Sequence, residues 1–308
     1  MLDLAIIVPA EQCAGGPKRY AVSKARTMYK QPIISSLALL LLPFFGAAQN
    51  LYAIADSLQT EGKRIYQSEI TSWHGSDLFI DKYKETNNIG GYFSYKENQA
   101  FKCVFINKGP NPKVIGTVVL DSSFNPKKAQ TLLVERELTA LERDYWQLRT
   151  AAYAALKDSK QFAVYENTSL NIVPLIDGEE RKAYVLTGPK SNGLVIFGND
   201  CLLRFNGQNE LISFKKIHNN IMPIEFDPTG INDPVGAVHS HNATTGEFIT
   251  ATDICTLLLY QKFARWSTYF VTGPNHVSIW NCTKNELQLL TREDWEKNNP
   301  SPKKKDRH

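Results

Sequence analysis

Two histidines separated by one residue, His239 and His241, are followed closely by Thr250 and Asp253. The run, starting at Val235, reads Val-Gly-Ala-Val-His-Ser-His-Asn-Ala-Thr-Thr-Gly-Glu-Phe-Ile-Thr-Ala-Thr-Asp-Ile. On an extended strand alternate side chains share a face, so the apolar stretch Val235 to Val238 delivers both imidazoles to one side. Asp253 then stands at the start of an apolar helical run, Thr250 to Ala264. Two imidazoles and a carboxylate form a three-ligand set for one Zn2+ ion. Such a set leaves a fourth position for water, the arrangement that zinc-dependent hydrolysis uses. Thr250 and Asp253 also fit a plain helix start, because Thr-x-x-Asp can act as a capping pair.

Those side chains need a strand, a loop and a helix start in a fixed relation, and the flanking sequence supplies them. Strand patterns run from Leu170 to Ile176, Ala183 to Thr187, Leu194 to Phe197, Cys201 to Phe205 and Leu211 to Lys215. Asn206-Gly207-Gln208-Asn209 is a hairpin turn between the last two. Tyr269 to Thr272 and His276 to Trp280 form a closing hairpin around Gly273-Pro274-Asn275. Upstream, Leu132, Leu133, Leu138, Leu141, Tyr145, Leu148 and Ala152 recur near the helical period and predict one long amphipathic helix over Ala129 to Ser159. Before it come a helix over Gln49 to Gln67 and strands at Leu78 to Ile80, Gly91 to Tyr95, Phe101 to Ile106 and Val114 to Leu120. The expected class is α+β. Residues 49–128 form a smaller N-terminal α/β region of unassigned role. Residues 129–292 carry the long helix and the metal-binding domain, and 293–308 form a basic, disordered tail containing Lys303-Lys304-Lys305.

The chain has 308 residues, 43% hydrophobic and 21% charged, with a net charge of +4. These are the proportions of a globular protein, and no aromatic-basic interleaving points to a nucleic-acid partner. Lys30 precedes a short apolar run, Pro32 to Phe45, which ends in Gly46-Ala47-Ala48. That is the make-up of a secretory signal peptide within a leader at 1–48, with cleavage after Ala48 and a start at Met28 as one option. The expected location is periplasmic or secreted, with membrane contact only through the signal peptide or an uncleaved anchor. Cys13 falls in the leader. Cys103, Cys201, Cys255 and Cys282 lack zinc-site spacing and read as buried free thiols. His74, beside Trp73, His218, after Lys215-Lys216-Ile217, and His276, in a turn, read as structural or exposed histidines. Glu247 reads as a rim residue of the loop between the ligands.

The order His-x-His, short loop, hydroxyl-x-x-Asp at a helix start resembles the JAMM (JAB/MPN-type) zinc metallopeptidase family. The Leu202 to Ile212 hairpin is similar to that of its RadC-like branch. The resemblance covers roughly residues 180 to 285. It differs from the family pattern in a loop one residue longer, in Asn242 where a proline is usual, and in threonine for serine. It implies a JAMM-like mixed sheet with flanking helices, and zinc held by His239, His241 and Asp253. Thr250 would take the place of the serine whose hydroxyl stabilises the oxyanion. The family's general base is a glutamate on an upstream strand. The hairpin alignment points to Asp200 first and to Glu180 second. The activity implied is that of an exported zinc-dependent hydrolase acting on a peptide, isopeptide or other amide bond of a peptide or protein substrate. The alternative is a non-catalytic JAMM-like binding or structural module of the cell envelope.

Overall fold

The computed structural model describes residues 44–159, 162–227 and 236–299, the first six by backbone alone. The apolar run expected in the leader lies mostly outside these residues, as do Cys13, Val235 and the basic run at 303–307. The chain is α+β. Helix α1 (Phe44–Lys82) is far longer than the helix expected over Gln49 to Gln67, and the expected cleavage point after Ala48 falls within it. The strand expected at Leu78 to Ile80 is helical. Ile65, Ser68, Glu69, Ile70, Thr71, Ser72, Gly75 and Phe79 are the buried positions here. They keep the helical spacing, but polar and small side chains carry most of it, so no apolar periodicity is left to read.

Strands β1 (Ile89–Glu97), β2 (Ala100–Asn107), β3 (Val114–Leu120) and β4 (Gln130–Leu132) form an antiparallel meander. Phe79 of α1 stacks on Phe105 of β2, ring centroids 3.9 Å apart. A Cβ at Gly75 would lie 2.5 Å from Cys103, so only glycine lets α1 lie this close to β2. The opposite face carries Phe93, Tyr95, Val104 and Val114, which pack with Tyr145 of helix α2 (Ala140–Asp158). This helix begins at Ala140 and not at Ala129. Thr139 and Glu142 form a reciprocal capping box there, and Arg136 holds both Glu142 oxygens, at 2.6 and 2.7 Å. Leu132 and Leu133, which read as helical, are half exposed at the end of edge strand β4.

A second antiparallel sheet holds β5 (Thr168–Asp177), β6 (Glu180–Pro189), β7 (Leu194–Phe205) and β8 (Leu211–Glu225). The two strands expected at Leu194 to Phe197 and Cys201 to Phe205 are one strand, β7, interrupted by a bulge. Gly198 and Asn199 have φ of 83° and 47°, and the register against β8 shifts between Gly198↔Ile221 and Asp200↔His218. A Cβ on Gly198 would meet the Asn220 carbonyl oxygen at 2.3 Å. Strand β8 continues to Glu225 and does not stop at Lys215.

The third sheet follows: β9 (Gly236–Ser240), helix α3 (Ala251–Tyr260), β10 (Thr268–Thr272), β11 (His276–Asn281) and β12 (Glu286–Thr291). Strand β9 lies parallel to β10, and the other pairs are antiparallel, giving a mixed sheet in the order β12-β11-β10-β9. Ile254 and Leu257 of α3, Tyr269, Val271 and Trp280 of the sheet, and Ala55 of α1 share one core. Helix α4 (Arg292–Asn298) occupies the start of the segment expected to be a disordered tail. Thr291 caps it, and Trp295 packs on Phe270 at 5.5 Å, which holds these residues in place. No described helix is long and apolar enough to cross a membrane. The four cysteines Cys103, Cys201, Cys255 and Cys282 are free and buried.

Candidate metal centre

Strand alternation does place His239 and His241 together. Both are buried, while Val238 is 60% exposed and Ser240 between the two histidines also faces outward. The His241 amide donates to the Thr272 carbonyl at 2.9 Å, which extends the β9–β10 ladder one residue past the strand and fixes the second imidazole. Asp253 is buried at the start of α3. Its Oδ2 accepts from the Thr250 amide at 2.9 Å and the Thr250 hydroxyl at 2.8 Å. Thr250 Oγ1 in turn accepts the Asp253 amide. The threonine expected to stabilise an oxyanion is therefore the helix cap, and its hydroxyl is engaged in aiming the Asp253 carboxylate.

A fourth residue, absent from the expected ligand set, joins them. His218 of β8, expected to be structural or exposed, turns its imidazole into the same space. Donor atoms of His218, His239, His241 and Asp253 all lie within 4.8 Å of one another, and all four residues are buried. His241 Nε2 is 2.9 Å from His239 Nε2 and 3.1 Å from His218 Nε2. The Asp253 oxygens lie 3.5, 3.7 and 3.8 Å from the three Nε2 atoms. A tetrahedral ion bound about 2.0–2.1 Å from each donor separates the donors by roughly 3.3–3.4 Å. The observed separations straddle that value.

Each imidazole is held by its other nitrogen. His241 Nδ1 donates to the Phe248 carbonyl at 2.9 Å, and His218 Nδ1 to Asp200 Oδ1 at 2.7 Å. A carbonyl and a carboxylate only accept, so these two rings turn their Nε2 atoms toward the cluster. His239 Nδ1 meets the Tyr269 hydroxyl at 2.9 Å. His241 Nε2 has a single lone pair and can accept from only one of its two Nε2 neighbours. The other close approach is left without a shared proton unless a cation lies between them. Asp253 Oδ1 is buried and without a hydrogen-bond partner among the described residues. A buried carboxylate with one orphaned oxygen, set among three imidazole nitrogens, is what a metal ion would satisfy. The group can hold a metal ion.

The electrostatics divide the imidazoles. Burial disfavours charge on His218, but the carboxylates of Asp253 and Asp200 outweigh it and carry its pKa to about 9, so near neutral pH it holds a proton that a metal ion must displace. Burial drives His239 down to about 4 and also lowers His241, leaving both neutral as ligands must be. At Asp253 burial raises the pKa, yet the three histidines together hold it below the ordinary carboxylate value.

The two expected bases fare differently. Asp200 lies beside the cluster, and its Oδ1 takes both the ring and the backbone N–H of His218. Glu180 pairs with Lys182 and Arg204 at the far end of the sheet. Arg181 pairs with Phe205 in register, five residues along β7 from Asp200, roughly 17 Å at strand rise. Glu180 is a surface ion-pair residue and is not brought to the centre. Glu247 binds Asn275 and His276 at an exposed loop corner. Against known proteins, the chain matches no family model, no curated protein and no solved structure.

Proposed function

We propose that this protein is a zinc protein in which His218, His239, His241 and Asp253 hold one ion between two sheets and a helix. The carrying observation is the convergence of three Nε2 atoms on the buried carboxylate of Asp253, whose Oδ1 has no hydrogen-bond partner among the described residues. Three imidazoles, His218 giving up its proton on binding, and one carboxylate are a borderline donor set that suits zinc in a tetrahedral site. The order of β9, loop and α3 supports a JAMM-like reading of the C-terminal part. His218 adds a fourth protein donor, and four protein donors are characteristic of closed, structural zinc sites. The geometry therefore supports the non-catalytic module first. We take the chain to be exported, on the strength of the apolar run before Gly46-Ala47-Ala48.

One observation favours an amide hydrolase as the second reading. His218 is the least buried donor, its side chain 9% exposed against 0–1% for the others, and it is the one joined to Asp200. Release of His218 would open a coordination position and free Asp200 to accept a proton. If so, a bound zinc ion would supply Lewis-acid activation of water and carbonyl.

Elemental analysis and X-ray absorption on the purified chain test the first claim. One zinc per chain with nitrogen- and oxygen-type neighbours is expected, with loss of the metal in His239→Ala and Asp253→Ala. Full occupancy in both variants would sink the ligand assignment. Turnover of a panel of peptide and isopeptide substrates separates the two readings. Activity that disappears in Asp200→Asn with zinc retained would favour the hydrolase, and zinc-loaded but inert protein favours the closed module.

A further inference from the structure

A cavity of about 590 Å³ opens between α1, α2, α3 and the β5–β6 hairpin, and no residue of the metal centre lines it. Its size is that of a small-molecule site. Trp73, Tyr260, Leu156 and Phe162 give it aromatic and aliphatic walls. Arg149 of α2 reaches into this setting. It makes no hydrogen bond or ion pair with any described residue, and its Nε is buried without a partner. The guanidinium lies over the rings of Tyr92 and Trp146, 5.7 and 5.8 Å from their centroids. Those faces offset part of the cost of withdrawing a cation from water, but they supply no counter-charge.

The other ionisable group inside is Glu69, which accepts from the Asn171 amide at 2.9 Å. Burial carries its pKa up to about 7, so near neutral pH it is only partly ionised. Among the described lining residues the remaining charges are exposed at the rim: Asp77 and Glu166 against Lys157 and Lys190. Arg149 thus has no anion paired with it in the cavity, and Glu69 supplies only part of a negative charge. A dianion such as phosphate would bring an uncompensated charge next to Glu69.

We propose that this cavity binds a small organic carboxylate, its acid head on the planar fork of Arg149 and its apolar body against Trp73, Tyr260 and Leu156. Carboxylate matches the paired N–H donors of guanidinium, and the aromatic walls take the hydrocarbon.

The test uses the full zinc-loaded chain with hydrocinnamate and octanoate as probes and hydrocinnamyl alcohol as the uncharged control. Calorimetry reads affinity, and the part of the tryptophan fluorescence change that is lost in Trp73→Phe reports on Trp73. Both carboxylates should bind, and the alcohol about tenfold or more weaker. Arg149→Met should weaken the carboxylates by a similar factor, leave the alcohol unchanged and retain zinc. Arg149→Lys, which keeps the charge without the fork, should fall between. Should Arg149→Met not fold, the wild-type comparison decides alone. Equal affinity for acid and alcohol overturns the proposal. So does failure of both carboxylates to bind at millimolar concentration, or tighter competition by inorganic phosphate.

Discussion

Asp200 Oδ1 accepts two hydrogen bonds from one residue, the Nδ1–H of His218 at 2.7 Å and its backbone N–H at 3.0 Å. The carboxylate thus sets both the ring orientation and the backbone position of the fourth donor. Outer partners of this kind typically contribute ten- to hundredfold to metal affinity. Asp200→Ala should therefore weaken zinc binding by about that factor in a chelator competition while the protein stays folded. Unaltered affinity would show that His218 is not held through Asp200.

Asp253 performs two tasks: Oδ2 takes the cap and also lies 3.5 and 3.7 Å from His241 and His218 Nε2, while the partnerless Oδ1 lies 3.8 Å from His239 Nε2. Asparagine keeps an oxygen for the Thr250 amide but loses the charge. Asp253→Asn should lose zinc yet melt close to the chelator-treated wild type. Thr250→Val removes the hydroxyl of the capping box and should cost about 1 kcal/mol, read by thermal or denaturant unfolding. A much larger loss in the metal-free protein for either variant would contradict this division.

Gly62 of α1 faces Ile254, the neighbour of Asp253, and a Cβ there would lie 2.6 Å from Ile254 Cγ2. The helices must part to admit even a methyl group. Gly62→Ala should destabilise the chain by about 1–3 kcal/mol and weaken zinc binding, because α3 carries the carboxylate ligand. A shift in unfolding midpoint with metal affinity untouched would mean that the strain is absorbed before it reaches Asp253.

Glu69 gives a pH dependence of definite sign. Burial lifts its folded-state pKa from 4.5 to about 7. The folded protein then binds the extra proton across that window. The stability linked to Glu69 is fully present below about pH 4.5 and is lost as the pH rises to about 7, roughly 3 kcal/mol in all. Glu69→Gln should flatten that part of the profile in chemical denaturation at stepped pH. A wild-type profile parallel to that of the variant would exclude the buried carboxyl as its cause.

What could be read in advance depended on how local the signal was. His239 and His241 were legible because strand alternation is fixed by the backbone, and Asp253 because a helix start shows in its neighbours. His218 was not. It stands alone after two lysines on a strand of mixed polarity, and it faces inward through the bulge at Gly198 and Asn199 on the neighbouring strand. The hairpin alignment places Asp200 near the site, and it lies there, bound to His218. The end of α1 reads as a strand because Ser68, Glu69 and Ser72 hold buried positions that apolar side chains usually take. The start of α2 reads too early because Leu132 and Leu133 fit a helical period by coincidence, while the capping pair Thr139 and Glu142 marks the true beginning.

Helix α1 is the element that all three sheets share. Gln59 Oε1 accepts the amide of Leu287 on β12 at 3.1 Å, across 228 residues of sequence. During synthesis, then, the first described helix emerges long before the strand that completes its burial. Its apolar stripe must stay solvated, or be shielded by a chaperone, until nearly the whole chain has left the ribosome. Truncation of β12 should consequently be felt at the opposite end of the sequence, as protease sensitivity around Gln59.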